Sequence, residues 1–140
     1  PEFVLEHPTM YDYSQKKLYE VVKAAGGAMI QAHPYRNGAT VLDTDYLDGL
    51  EINCHPLYGT SEAEKLIPIA QRNGLIMTCA GDFHADTYRP ISATILPDSI
   101  GNEAQLANFL LTASRVELLI HEPLTAQPYR YQYFRDGKFN

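Results

Sequence analysis

The chain is expected to adopt an α/β fold whose sheet is mostly parallel, either open or as part of a barrel. Three observations carry that expectation. Short apolar runs of strand type alternate with segments of helical period. Capping residues and glycines punctuate the segments at their ends. Of the five histidines, His33, His55, His84 and His121 stand at or a few residues beyond the C-terminal ends of strand-like runs. In parallel α/β arrangements those ends share one rim, where sites are built.

Taken in order, residues 14–25 read as a helix. Leu18, Val21, Val22 and Ala25 fall at i, i+3, i+4 and i+7, Ser14 is placed to cap the start, and Gly26-Gly27 stop it. A short strand follows over 28–32, ended by His33-Pro34, and a polar crossing leads to a second strand over 50–54. Ser61-Glu62-Ala63-Glu64 has the pattern of a capping box and opens a second helix that Gly74 ends. Pro68 inside it predicts a kink or a displaced start. Strands over 75–79 and 92–96 come next, then a helix over 102–114 with Leu106, Phe109, Leu110 and Ala113 as its buried face. A fifth strand spans 116–120. These elements form one domain over 1–125. The tyrosine- and arginine-rich tail, 126–140, reads as an edge hairpin or packing arm, with Asp136-Gly137 offering a turn.

Composition narrows the function. The chain is 45% hydrophobic and 20% charged, the balance of a globular domain, and no apolar run approaches the ~20 residues of a membrane helix. A formal net charge of -6 gives no basic footprint for nucleic acid, so no nucleic-acid partner is expected. Any phosphorylated substrate would need local arginines or metal ions. The two cysteines, Cys54 and Cys79, lie in apolar stretches and read as buried thiols, in keeping with a reducing, cytoplasmic setting.

The candidate site residues follow from position. Pro34 biases His33 toward extended backbone, so its imidazole is expected to project from the strand end; the alternative is a core histidine bonded to backbone. Asp82 and His84, at i and i+2 in an extended segment, would face one side, and oxygen with nitrogen donors suits Zn²⁺, Mn²⁺ or Fe. Arg36, three residues beyond His33, is a natural phosphate clamp or else a surface arginine. Arg89 is a second cationic candidate. His55, also followed by proline, is a loop residue or a substrate contact; His121 is structural or exposed, and His7 belongs to a helix entry. There is no dinucleotide fingerprint, P-loop, paired C-x-x-C or nucleophile elbow.

Gly26-Gly27-Ala28-Met29-Ile30-Gln31-Ala32-His33-Pro34-Tyr35-Arg36 resembles the A-H-P motif of the polymerase-and-histidinol-phosphatase (PHP) family. Asp48-Gly49-Leu50-Glu51-Ile52-Asn53 is similar to its D-G-[IV]-E-[IV] strand, and Thr78-Cys79-Ala80-Gly81-Asp82-Phe83-His84 to its final G-S-D-x-H motif, with Ala80-Gly81 in place of Gly-Ser. Order and spacing agree from about residue 13 to 123. The resemblance implies the later part of a distorted (β/α)₇ TIM-like barrel and a metal-dependent phosphoesterase acting on a small phosphate ester through a metal-bound hydroxide. His33, Asp82 and His84 would be metal ligands, Arg36 would hold the phosphate, and Asp82 would also orient the attacking water. The family's N-terminal elements, an H-x-H, further histidines and a bridging glutamate, have no counterpart here. The implied site is therefore incomplete for catalysis in this chain alone, and a missing N-terminal half, a partner or self-association is expected. Two other readings stand beside it: a non-catalytic binding or assembly module derived from such a barrel, and an amidohydrolase-like hydrolase of C–N bonds.

Overall fold

The computed structural model describes residues 2–87 and 91–137. Two three-stranded sheets enclose a single apolar core. In the first, β1 (Ile30–Gln31), β2 (Gly49–Asn53) and β3 (Ile76–Ala80) lie side by side in that order, all parallel. In the second, β4 (Ala93–Ile95), β5 (Arg115–Ile120) and β6 (Tyr129–Phe134) are antiparallel neighbours. The parallel expectation thus holds for the first half and not for the second. Parallel neighbours need a long crossover, and α3 (Ala63–Arg72) supplies it between β2 and β3. The segment from β5 to β6 carries no helix and simply turns back.

Local sequence sets most helix ends. Ser14 caps α2 (Gln15–Ala24), its hydroxyl accepting from the Lys17 amide at 3.3 Å, and Gly26 at φ +75 closes the other end. Asn102 caps α4 (Glu103–Thr112) by accepting from the Gln105 amide at 2.9 Å. At the far end of α4, the Arg135 guanidinium donates to the carbonyls of Leu110 and Leu111 at 2.5 and 2.8 Å, satisfying acceptors the helix leaves open. Phe109, Leu110 and Ala113 of the expected buried face pack on the core. A short helix, α1 (Glu2–Glu6), precedes all of these, and His7 stacks 4.7 Å from Phe3 just beyond it.

The start of α3 departs from the capping-box expectation. Glu62, at φ +60, occupies the cap position, while Ser61 accepts from the Ala63 amide and donates its hydroxyl to Glu122. Glu122 also accepts the Ser61 amide at 3.0 Å. A carboxylate from the far end of β5 therefore does what Glu64 was expected to do. Pro68 is accommodated inside the helix, whose first turn begins one residue later than the sequence pattern suggested.

Leu50, Ile52 and Cys54 alternate onto one side of β2, and Glu51 and Asn53 onto the other. Leu50, Ile52, Leu66, Met77, Leu118 and Tyr133 are fully buried in the one core cluster. Tyr133 belongs to the tail, so β6 is an integral edge strand of the second sheet; Gly137 makes its turn back to the Phe134 carbonyl at 3.1 Å. Gly49 has no room for a side chain: a methyl group there would stand 2.6 Å from side-chain carbons of Ile30 and Ile76 and 2.7 Å from the Ile76 carbonyl oxygen. Backbone cannot yield as a side chain can. Gly49→Ala is accordingly expected to destabilise by about 1–3 kcal/mol, read as a lowered urea midpoint with an unchanged slope.

Candidate functional site

The loops leaving β1, β2 and β3 meet over the strand ends. Beyond β1 the chain coils tightly, with His33 at φ +32, Tyr35 at φ +70 and Asn37 at φ +53. The extended geometry that Pro34 predicted for His33 is thus overturned. The reason lies on the next strand: the Glu51 carboxylate accepts the His33 amide at 2.8 Å, and the Arg36 amide turns back to the His33 carbonyl at 3.3 Å. This coil carries Arg36 back across the end of β2.

There the guanidinium is held on several sides. Its Nη1 donates to Asp82 Oδ2 and its Nη2 to Asn53 Oδ1, and its carbon lies 4.1 Å from the centre of the Tyr58 ring. Asn53 is buried and oriented in turn by donating to Glu51 at 3.1 Å. Glu51 thus anchors both His33 and the residue that positions Arg36. Neither Asn53 nor Tyr58 was singled out from sequence, although the alternation of β2 puts Asn53 on the face of Glu51.

Asp82 comes from the turn after β3 and has φ +56, so the extended Asp82–His84 geometry is also replaced. His84 folds back, its Nδ1 2.7 Å from the Asp82 carbonyl and 3.1 Å from Oδ1, with most of its ring exposed. Burial works against the Asp82 charge, but the hydrogen bond and charge of Arg36 outweigh it, aided by His84 and His33, and hold the carboxyl below its usual range.

Beside Arg36 opens a pocket of about 170 Å³ lined by His33, Asn53, Tyr58, Thr60 and Ser61 among others. His55 does not line it. Its Nδ1 accepts the Leu57 amide at 3.1 Å and its ring meets Tyr58 edge-on at 5.4 Å, so it holds its own loop. His121 does the same farther away, its Nε2 3.0 Å from the Thr125 carbonyl. Arg89 lies outside the described residues. All five non-glycine residues of positive φ among those described, His33, Tyr35, Asn37, Glu62 and Asp82, stand in these loops. Strain of this kind persists only where the surroundings enforce it, and it clusters at sites.

One carboxylate and two imidazoles have the donor chemistry of a divalent-metal site. Their arrangement here is a different one. Asp82 Oδ2 is bonded to Arg36, and among the described residues no three His, Cys, Asp or Glu side chains converge closely enough to hold an ion. Nor is any helix among the described residues long and apolar enough to cross a membrane. Comparison with family models, with curated proteins and with solved structures returned no match.

Proposed function

We propose that the chain is part of a metal-dependent phosphoesterase of the PHP type and that this cluster is its phosphate-holding side. The observation that carries the reading is Arg36, whose guanidinium is fixed by Asp82, Asn53 and Tyr58 and borders a pocket that Thr60 and Ser61 also line. A planar guanidinium fixed in place suits the paired oxygens of a phosphate, whereas an amide substrate gives it no role. The clustered backbone strain supports the same placement. Charge argues for a metal requirement. Among the described residues of the cluster, Glu51 and Asp82 stand against one arginine, Arg36, so a dianionic phosphate needs further positive charge there. His33, Asp82 and His84 would be this chain's share of the ligands, the rest coming from another segment, a partner or a second copy. The non-catalytic module is the second reading, favoured by the pairing of Asp82 with Arg36.

Inorganic phosphate titrated calorimetrically into the chain in the presence of Mn²⁺ is expected to bind. Arg36→Ala is expected to weaken that binding by about tenfold or more, the loss of one charge-assisted contact. His121→Ala, remote from the pocket, is expected to leave it within about twofold. If phosphate binds without regard to Arg36, the phosphoesterase reading is sunk.

A further inference from the structure

Cys54 and Cys79 were expected as buried thiols, with a bridge between them as the alternative. They are both buried and free, but they are neighbours, with their sulfurs 3.9 Å apart. The backbone explains why. The Cys54 amide donates to the Ala80 carbonyl at 2.9 Å, which carries the parallel register one residue past β2 and sets Cys54 opposite Gly81. Cys79 pairs with Ile52. Side chains of paired residues share a face, so Cys54 and Cys79 are diagonal neighbours on one side of the sheet.

The two are held unequally. Cys79 is tied by its amide and carbonyl to the Thr94 hydroxyl, at 2.8 and 3.0 Å, and its sulfur contacts the Leu119 carbonyl at 3.4 Å. Cys54 is the last ladder-bonded residue before the loop that leads to α3. Its thiol is made more acidic, chiefly by the hydrogen bond it shares with Cys79 and against the effect of burial, with the Ser92 hydroxyl and His121 amide adding to it. The Cys79 thiol is pushed up by the same contact and by burial, and it stays protonated.

We propose that Cys54 and Cys79 are a redox modification site that closes to a reversible intramolecular disulfide under a small peroxide. The Cys54 thiolate attacks one peroxide oxygen; the S–O bond forms, the O–O bond breaks, and hydroxide leaves and is protonated to water. The Cys79 sulfur then attacks the Cys54 sulfenic acid; the S–S bond forms, the S–O bond breaks, and a second water leaves with the Cys79 proton. Two thiols and one hydrogen peroxide give one disulfide and two waters. The sulfurs must close from 3.9 Å to about 2.05 Å, a movement the loop side of the pair can supply. The inference is independent of the phosphate reading, yet it bears on the same rim: Cys54 adjoins Asn53, which holds Arg36.

The test is peroxide treatment of the chain, followed by denaturation, alkylation and intact mass. The expected result is a monomer about 2 Da lighter with no alkylatable thiol, returned to two thiols by dithiothreitol. In Cys79→Ser, dimedone is expected to trap a sulfenic acid on Cys54, while in Cys54→Ser the remaining thiol is expected to react about tenfold more slowly or worse. The wild-type mass alone decides the matter if a variant fails to fold. Two alkylatable thiols after oxidation, disulfides only between chains, or sulfinic acids at both positions would overturn the proposal.

Discussion

Asp82→Ala is expected to destabilise the chain by about 3 kcal/mol, more than any other single change in the site. Its partner's side chain, Arg36, is only 11% exposed and Asp82's only 13%, so neither charge has much recourse to water. Without the carboxylate, the guanidinium keeps the Asn53 oxygen and the Tyr58 ring, and neither bears a charge to balance it. Asp82→Asn retains an acceptor and should lose less. A double change, Arg36→Met with Asp82→Ala, should recover part of the loss, because it removes the stranded charge along with its partner. Urea unfolding of these proteins and of Arg36→Met alone, at neutral pH, closes the double-mutant cycle and gives the coupling. The pH dependence has a definite sign. The folded-state pKa of Asp82 is depressed, so the native state binds fewer protons than the unfolded chain. Its stabilising contribution is present above the ordinary carboxylate range, near pH ~4, and is lost as pH falls through the lower folded value. That portion of the acid loss should be absent from Asp82→Asn.

How much of this was legible depended on whether the deciding partner was near in sequence. Ser14 with Lys17 and Asn102 with Gln105 are contacts three residues long, and the helices they start lie where the pattern put them. Ser61 has the same local signature, yet Glu122, 61 residues away, takes it over and moves the start of α3. The rule for a residue before proline fails at His33 because a carboxylate 18 residues on captures its amide. The positions of His33, Arg36, Asp82 and His84 at one rim could be read from strand ends alone. That Arg36 would grip Asp82, 46 residues away, could not, since the pattern fixes which residues reach the rim and not which of them pair. Strand direction was equally hidden in the second half: alternating apolar residues specify a strand with one buried face, whichever way its neighbour runs.

Tyr133→Ala is expected to cost about 3–5 kcal/mol, the largest effect of any change in the tail, and to detach β6 from the second sheet. The ring is fully buried among residues of both sheets, and its hydroxyl donates to the Leu75 carbonyl at 2.6 Å, across 58 residues of chain. Removing the ring leaves a cavity and takes away a tie between β6 and the entry to β3. Tyr133→Phe isolates the hydroxyl: packing stays, the buried Leu75 carbonyl loses its donor from β6, and about 1–2 kcal/mol is expected to go. The two variants also differ at high pH. Burial raises the Tyr133 phenol above its ordinary value, with the nearby Arg135 charge only partly opposing it. The native state therefore holds this proton more tightly than the unfolded chain does. Stability from the phenol is complete below pH ~10 and is lost as pH rises toward the folded value, so Tyr133→Phe should flatten the alkaline limb of the stability curve. Unfolding followed by circular dichroism between pH 7 and pH ~11 separates the cases. A Tyr133→Ala protein as stable as the natural chain would mean that the tail merely lies against the fold; a large loss places β6 among the elements that keep the two sheets, and with them the rim carrying Arg36 and Asp82, in one piece.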